Sequence, residues 1–367
     1  MKIFVEKAKL ENELRLFQGI FEKKAIMEIL QNIKLTAQEG GVLEMVATDL
    51  EIGLTSSIQI DIQKTGAFTV NGKDLYDLIS KMPEGLIEIS EDNDLQILIT
   101  NEKKTCKYKM LGLQSSDYPE LPVNDLSTAL KISLSDFHTM INNCYYVISP
   151  ELKFNLGGAL MSISQNKLEM AATDGHRLSY TFFDADFSVA DSVEYILSRK
   201  TLLEILKIGN DGEIEFAFDK NNLFFKHKNR ILCSRIVDQK FPNYKTVIPE
   251  KTDQTATINT DELLRTLRRI LIFKTRNNGV LFKFSKNKLA LERTTPEKGE
   301  GYDEIAIDYH GKAVNVGFNG NFVLDFLTHN NSEKITIGLN DSESSFLFKP
   351  IDSSSAHFIY IIMPLNI

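Results

Sequence analysis

The pattern of apolar and polar positions along the chain has two periods. Runs in which every second residue is apolar, such as residues 95–99 and 280–284, predict strands with one buried face. Other runs place apolar residues three and four positions apart, as in residues 260–270, which is typical of an amphipathic helix. The chain therefore mixes helices and strands throughout its length.

The same order of elements occurs three times. A short strand leads into an amphipathic helix, and a second helix follows later and ends in a polar turn and another strand. The three copies begin at strands 3–6, 130–133 and 256–259, and their helices are residues 7–17 and 71–80, 134–141 and 198–207, and 260–270 and 319–327. Ser135 and Thr260 are candidate N-caps. A period of about 125 residues is that of a whole domain.

Proline-containing segments separate the copies. Residues 118–125 end the first copy, and residues 241–249 end the second. We therefore predict three α+β domains at residues 1–120, 128–245 and 254–367. Each should pack two helices on one side of a mainly antiparallel sheet of about eight strands.

One short segment is repeated with a difference that points to function. Residues 172–178, Ala-Thr-Asp-Gly-His-Arg-Leu, follow a strand, and their Asp-Gly pair predicts a turn before a second strand. Residues 47–52, Ala-Thr-Asp-Leu-Glu-Ile, are the corresponding segment of the first copy, about 125 residues earlier. The Gly-His-Arg sequence is present in one copy alone, so we expect only that copy to carry the specialised site.

Composition excludes several classes of protein. The 367 residues are 43% hydrophobic, enough for two or three domains with cores. Three scattered cysteines match neither a zinc site nor a disulfide framework and favour a reducing cytosol. The first residues do not resemble a signal peptide, and no apolar run has transmembrane length. The net charge of −8 excludes a uniformly basic nucleic-acid binder.

Basic residues nevertheless recur on or beside four of the six predicted helices. They are Lys23, Lys24, Lys73, Lys81, Arg199, Lys200, Lys207, Arg265, Arg268 and Arg269. Each group alone is compatible with an ordinary solvated helix face. Their recurrence in an acidic chain favours one face that lies near a polyanion without gripping it. We find no recognition helix or zinc module of a sequence-specific reader.

Asp174 and His176 raise the question of catalysis. The other histidines form no ligand-spaced pair for a metal, and the chain has no nucleophile motif or glycine-rich phosphate loop. His176 could be an ordinary turn histidine or part of a surface pocket. The tail Met363-Pro364-Leu365 favours the pocket, because an exposed apolar tail is a liability unless it lines a groove.

Taken together, the threefold repeat, residues 172–178, residues 241–244 (Phe-Pro-Asn-Tyr) and the Met363-Pro364-Leu365 tail closely resemble the bacterial sliding clamp family, the beta subunits of DNA polymerase III. The resemblance covers essentially the whole chain. It implies a head-to-tail homodimeric ring around double-stranded DNA, with helices inside and sheets outside. It also implies no catalytic activity, no cofactor and no metal.

The resemblance also implies partners and a location. The family is placed on DNA by a clamp loader. It tethers the DNA polymerase III catalytic subunit and other polymerases or repair proteins that carry a clamp-binding linear motif. This activity is cytoplasmic and involves no membrane.

Site residues follow from the resemblance by position. The partner-peptide pocket, between the second and third domains, would be Leu156, Thr173, Gly175, His176, Arg177, Leu178, Pro242, Val247, Ile361, Met363, Pro364 and Leu365. The dimer interface would include Tyr108, Met110, Leu271 and Ile272, and the DNA-facing residues would be Lys24, Lys73, Arg199, Lys200, Arg265 and Arg268. Thr246, Asn366 and Pro150 depart from the family pattern, so contacts at these positions should differ.

Two alternatives remain at the level of sequence. The first is a compact scaffold protein that uses the same pocket but never closes around DNA. The second is an enzyme that depends on Asp174 and His176. A stable monomer at micromolar concentration would favour the first alternative, and a copurifying metal or an activity lost in His176→Ala would favour the second.

Overall fold

The computed structural model describes residues 1–21, 27–92, 95–149, 157–187, 189, 191–273, 277–295, 299–351 and 357–366. Within these ranges the six α-helices are α1 (Lys7–Leu16), α2 (Gly72–Lys81), α3 (Leu134–Cys144), α4 (Arg199–Ile205), α5 (Thr260–Ile270) and α6 (Gly320–His329). All six lie where the spacing of apolar residues predicts them. The α+β class, with mainly antiparallel sheets, is confirmed.

The strands of the described residues fall into three runs, one for each copy of the repeated order. The first run is β1 (Lys2–Glu6), β2 (Asn32–Gln38), β3 (Val42–Thr48), β4 (Ile52–Gln59), β5 (Asp61–Lys64), β6 (Gly66–Asn71), β7 (Leu86–Glu91), β8 (Gln96–Asn101) and β9 (Lys107–Leu113). The second is β10 (Leu130–Ser133), β11 (Gly158–Ser164), β12 (Lys167–Thr173), β13 (Arg177–Asp184), β14 (Val193–Ser198), β15 (Glu213–Phe218), β16 (Asn222–His227) and β17 (Arg230–Arg235). The third is β18 (Gln254–Asn259), β19 (Gly279–Ser285), β20 (Lys288–Thr295), β21 (Gly299–Ala306), β22 (Val314–Asn319), β23 (Lys334–Leu339), β24 (Phe346–Pro350) and β25 (His357–Ile362).

Asparagines at strand ends start three of the helices. Asn71, Asn259 and Asn319 each end a strand, and each side chain accepts a hydrogen bond from a backbone N–H in the first helical turn. The predicted N-caps are wrong. Thr260 is the first residue of α5 and Ser135 the second residue of α3, because both helices begin earlier than the polar residue suggests.

The chain forms two contact-dense units. The first comprises Met1–Ser135 and Leu203–Ile236, and the second comprises Asp136–Leu202 and Val237–Ile367. The middle repeat therefore contributes to both units. The boundaries at 1–120, 128–245 and 254–367 stay a prediction of the sequence repeat.

A 13-stranded sheet forms the frame of the first unit, in the order β10-β15-β16-β17-β4-β3-β2-β6-β9-β8-β7-β1-β5. Strands distant in sequence join between its fourth and fifth positions, where β17 pairs antiparallel with β4 from Arg230↔Ser56 to Ser234↔Ile52. Helix α1 is tied to this join. The buried carboxylate of Glu13 accepts hydrogen bonds from Arg230 Nη2 at 2.6 Å and from Ser56 Oγ at 2.7 Å.

The second unit holds two sheets. One has eight strands in the order β14-β11-β12-β13-β25-β24-β23-β18, and the other has four in the order β21-β20-β19-β22. Strand β13 pairs antiparallel with β25 from Arg177↔Ile362 to Phe182↔His357. This pairing brings residues 172–178 and the C-terminal tail together, although nearly 190 residues separate them in sequence.

Candidate functional site

The turn between β12 and β13 is held by its own side chains. Thr173 Oγ1 accepts from the N–H of Gly175 at 3.1 Å and donates to the carbonyl of Arg177 at 2.7 Å. Asp174 Oδ1 accepts from the N–H groups of His176 and Arg177 at 3.0 and 3.1 Å. Gly175 has a φ of +88°, in the left-handed region that glycine adopts without strain. The predicted Asp-Gly turn is confirmed.

Arg177 anchors this turn to the rest of the second unit. Its Nε donates to Asp174 Oδ2 at 2.9 Å, and its Nη1 donates to Asp325 Oδ2 at 2.6 Å and to the Tyr360 hydroxyl at 3.1 Å. Its Nη2 donates to the Tyr146 carbonyl at 3.1 Å. Four of the five guanidinium donors are thereby used inside the protein. Arg177 therefore positions the turn and has little left to offer a ligand.

The surroundings of Arg177 keep it charged. Burial by itself lowers the pKa of this guanidinium, but the Tyr360 phenol and the carboxylates of Asp325 and Asp174 raise the pKa above its ordinary value. The guanidinium also lies over the ring of Phe322, 4.3 Å from its centroid. A buried cation thus holds two carboxylates and a phenol behind the turn.

A groove of about 520 Å³ opens beside the turn. Its walls are the β12–β13 turn, the short helical segment Tyr244–Val247 and the residue that follows β25. The N–H of Met363 donates to the carbonyl of His176 at 3.0 Å and so fixes the tail against the turn. The lining residues are Thr173, Gly175, Arg177, Leu178, Pro242, Asn243, Tyr244, Val247, Ile361 and Met363.

Eight of the twelve predicted pocket residues line this groove, all of them included in the list above. His176 and Pro364 adjoin lining residues in the chain and Leu365 lies two positions after Met363, but none of the three lines the groove. Leu156 lies outside the described residues. The sequence prediction missed Asn243 and Tyr244, although both belong to the Phe-Pro-Asn-Tyr segment that carried the resemblance.

The groove is suited to apolar side chains. Leu178, Tyr244 and Ile361 belong both to its lining and to a buried hydrophobic cluster of the second unit. Thr246, which is exposed and precedes the lining residue Val247, donates its hydroxyl to the carbonyl of Asn243 at 2.8 Å. The lining therefore offers hydrophobic contact with a few polar edges, as binding sites for short apolar segments do.

The geometry gives Asp174 and His176 no catalytic arrangement. The Asp174 carboxylate is occupied by backbone N–H groups of its own turn and by Arg177, so it is not placed to activate the exposed His176. Across the residues that the structure describes, no group of three or more His, Cys, Asp or Glu could hold a metal ion. No helix among them is long and apolar enough to cross a membrane.

The predicted interface residues lie at the surface of the chain. Tyr108 on β9 is 43% exposed and Ile272, after α5, is 72% exposed, while Met110 and Leu271 are half-buried. Leu111, which follows Met110 on β9, is 80% exposed. Aliphatic and aromatic side chains this exposed are candidates for a protein contact.

The predicted DNA-facing residues differ in their surroundings. Lys73, Arg199, Arg265 and Arg268 are exposed, Lys200 is half-buried, and Lys24 lies outside the described residues. Within the described part of the chain, Arg265 and Arg268 on α5 have no ion pair. Their neighbour Arg269 is neutralised by Asp303 at 2.6 Å. The available positive charge of α5 is therefore that of Arg265 and Arg268.

Fold and groove together define a binding protein made of repeated α+β modules. Three models of one family match consecutive segments: the DNA polymerase III beta subunit N-terminal domain at residues 1–122, its central domain at 131–243 and its C-terminal domain at 245–366. These segments cover nearly the whole chain, so the chain belongs to the DNA polymerase III beta subunit family, the sliding clamps, which are processivity factors and not enzymes.

Individual relatives are similar to this chain along their whole length. The beta sliding clamp of Pseudomonas putida is 26% identical over 373 residues, with 100% of each chain covered. The crystal structure of the DNA polymerase III beta subunit from Pseudomonas aeruginosa superimposes with a TM-score of 0.92 at 26% identity, with 100% of both chains covered. A sliding clamp from Bartonella birtlesii, solved bound to griselimycin, gives a TM-score of 0.93 at 25% identity with the same coverage.

Proposed function

We propose that two copies of this chain close head to tail into a ring that encircles double-stranded DNA and slides without sequence specificity. The observation that carries the proposal is a pair of free strand edges. Strand β9 pairs with β6 only at Gly112 and Leu113, so on that side residues 107–111 have no strand partner among the described residues. Strand β21 likewise pairs with β20 alone among the residues that the structure describes. Open edges are places where another chain can add a strand.

The two edges are complementary in charge. Strand β9 carries Lys107 and Lys109, whereas β21 carries Glu300, together with Asp303 and Glu304, which already pair with Arg269 and Lys288. Opposite charges on facing edges favour pairing of unlike edges over pairing of like ones. The proposed contact is therefore heterologous, and two such contacts close a ring of two subunits. A stable monomer in sedimentation equilibrium at micromolar concentration would contradict this proposal and favour the scaffold alternative.

Positive charge on the helices should keep DNA in the ring without gripping it. We expect the paired substitutions Arg265→Gln and Arg268→Gln to lower the slope of log affinity against log salt, for a short duplex, by up to about two. Fluorescence anisotropy of the labelled duplex over a salt series measures this slope. Replacement of Lys228 and Lys245 by Gln serves as the control, because it removes two exposed lysines that lie outside the six α-helices and pair with Asp211 and Glu169. If the control lowered the salt slope by the same amount, the assignment of Arg265 and Arg268 on α5 as DNA-facing residues would be wrong.

The groove of the second unit is proposed to hold partner peptides. The family resemblance assigns to it the DNA polymerase III catalytic subunit, the clamp loader and other polymerases or repair proteins with a clamp-binding linear motif. The apolar lining that includes Leu178, Ile361 and Met363 supports this assignment. We place this activity in the cytoplasm, where bacterial DNA is replicated.

Alanine substitution of Met363, Pro364 and Leu365 together tests the groove. We expect the affinity for a fluorescein-labelled peptide that carries the clamp-binding linear motif of the DNA polymerase III catalytic subunit to fall at least about tenfold in fluorescence anisotropy, because apolar anchors dominate such contacts. Isothermal titration calorimetry with the unlabelled peptide gives an independent measurement of the same affinity. The control Val123→Ala trims another exposed aliphatic side chain and should leave affinity unchanged. Retained affinity in the triple variant would contradict the assignment.

A further inference from the structure

The first unit contains a second turn with the same internal hydrogen bonds. Between β3 and β4, Thr48 Oγ1 accepts from the N–H of Leu50 at 2.9 Å and donates to the carbonyl of Ile52 at 2.8 Å. Asp49 Oδ1 accepts from the N–H groups of Glu51 and Ile52 at 2.9 and 2.8 Å. These four bonds repeat, position by position, those of the turn at residues 173–177.

The strand that closes the turn is repeated as well. The N–H of Arg235 donates to the carbonyl of Glu51 at 2.8 Å, as the N–H of Met363 donates to that of His176 at 3.0 Å. By this register Arg235 takes the place of Met363. A segment with two prolines, residues 119–122, forms the third wall. The resulting cavity has about 720 Å³ of empty space, and we call it the second groove.

The apolar part of the second groove is built differently from that of the first. Gly53 stands at the position that Leu178 has in the first groove. A Cβ on Gly53 would lie 2.4 Å from Leu121 Cδ2, so the side chain of Leu121 fills the space beside this glycine. Leu50 replaces Gly175 and holds a φ of +74°, which is unfavourable for leucine, and its side chain is 50% exposed at the rim. A strained backbone and an exposed apolar side chain at one position are typical of a functional surface.

The charged part of the second groove contains one cation and two acids. Arg235 is exposed, and within the described part of the chain its guanidinium has no hydrogen bond or ion pair. Glu51 and Glu120 lie on the same lining and are exposed. The two acids oppose a phosphate backbone, which carries many negative charges, but leave Arg235 open to a single carboxylate. The floor contributes no charge, because burial raises the pKa of the Cys233 thiol to about 12.

We propose that the second groove binds an extended peptide segment of a protein partner, with an apolar side chain against Leu50 and Leu121 and a carboxylate on Arg235. The chemistry differs from that of the first groove, where the corresponding side chain is the uncharged Met363. The chain would thus offer two docking sites of the same construction for two kinds of peptide. Partners could then occupy both sites at once without competing.

Methyl-resolved NMR of the full chain, with leucine and methionine methyl groups labelled, tests this proposal. The probes are a capped pentapeptide of glycine and leucine that contains a single glutamate, and the same pentapeptide with glutamine in place of that glutamate. We expect the glutamate peptide to shift the methyl signals of Leu50 and Leu121 in a saturable manner. The glutamine peptide and the Arg235→Gln variant should each bind about five- to tenfold more weakly.

The control Lys228→Gln removes a different exposed cation of the first unit and should leave the affinity unchanged. The Met363 methyl signal reports on the first groove in the same spectra. Unmoved Leu50 and Leu121 signals would overturn the proposal, as would equal binding of both peptides. If inorganic phosphate alone shifted the two leucines as strongly as the glutamate peptide, the second groove would be an anion site and the peptide proposal would be wrong. None of these outcomes bears on the first groove, whose peptide is measured separately.

Discussion

Replacing Arg177 by isoleucine should lower the free energy of unfolding by about 3 kcal/mol, because it leaves the Asp174 and Asp325 carboxylates and the Tyr360 phenol without their cation. Isoleucine is the residue that the sister turn carries at this position, Ile52, so the backbone of the turn can accept it. The loss should therefore come from the buried charges. Peptide affinity at the first groove should fall too, because Arg177 ties the turn to α6.

Urea denaturation followed by circular dichroism measures the change in stability. The control Arg199→Gln removes an exposed arginine of the same unit and should cost less than about 0.5 kcal/mol. A second test replaces Asp325 by Asn in the Arg177→Ile background, which removes one unpaired charge and should restore part of the stability. Equal stability of wild type and Arg177→Ile would show that the hydrogen bonds of Arg177 have no net effect on stability.

Changing Leu271 and Ile272 to alanine should convert the proposed dimer to monomers. Full burial of one large aliphatic side chain contributes about 1.5–3 kcal/mol, and each of the two contacts of the ring would lose part of that contribution at both positions. A loss of about 3 kcal/mol at each of the two contacts, about 6 kcal/mol for the ring, weakens dimer association by roughly four orders of magnitude. Sedimentation equilibrium measures the result directly.

The time that the protein stays on DNA shows how loss of the dimer affects function. Wild-type protein loaded by a clamp loader should remain on closed circular DNA and be lost from the same DNA after it is made linear, because encirclement and not adhesion holds it. The Leu271 and Ile272 double variant should be lost from both. The control Ile351→Ala trims a 44% exposed aliphatic side chain of the same unit and should behave as wild type. Wild-type protein that stayed equally long on linear DNA with free ends would refute encirclement.

Much of the first groove could be anticipated from sequence because its parts carry local signals. Asp174-Gly175 indicates a turn by its own side-chain chemistry, and Met363-Pro364-Leu365 is unusual as an apolar tail. Asn243 and Tyr244 were missed because membership of a recognised segment does not tell which side chains face the groove. Asp325 and Tyr146 could not be predicted as partners of Arg177, since nothing local in either segment refers to the other.

The second groove also combines features that the sequence shows with features that only the structure shows. The sequence displays the repeat at residues 47–52, and the missing Gly-His-Arg suggested that only one copy was specialised. The structure adds that the hydrogen bonds of the turn need only its Thr-Asp pair, so the frame is present in both copies. The two grooves differ in the side chains on this frame. Met363 and Gly175 of the first groove correspond to Arg235 and Leu50 of the second.

The sequence by itself determined the positions of the six helices, the antiparallel strands and the threefold order of elements, because side-chain periodicity reports which face of each element is buried. The tertiary structure alone decided that β17 joins β4 and β25 joins β13. Strands pair through backbone N–H and C=O groups, which are nearly the same in every residue. The sequence of a strand therefore does not tell which other edge it will join. Both grooves lie where such a pairing closes a turn, so their existence is a property of the assembled sheets.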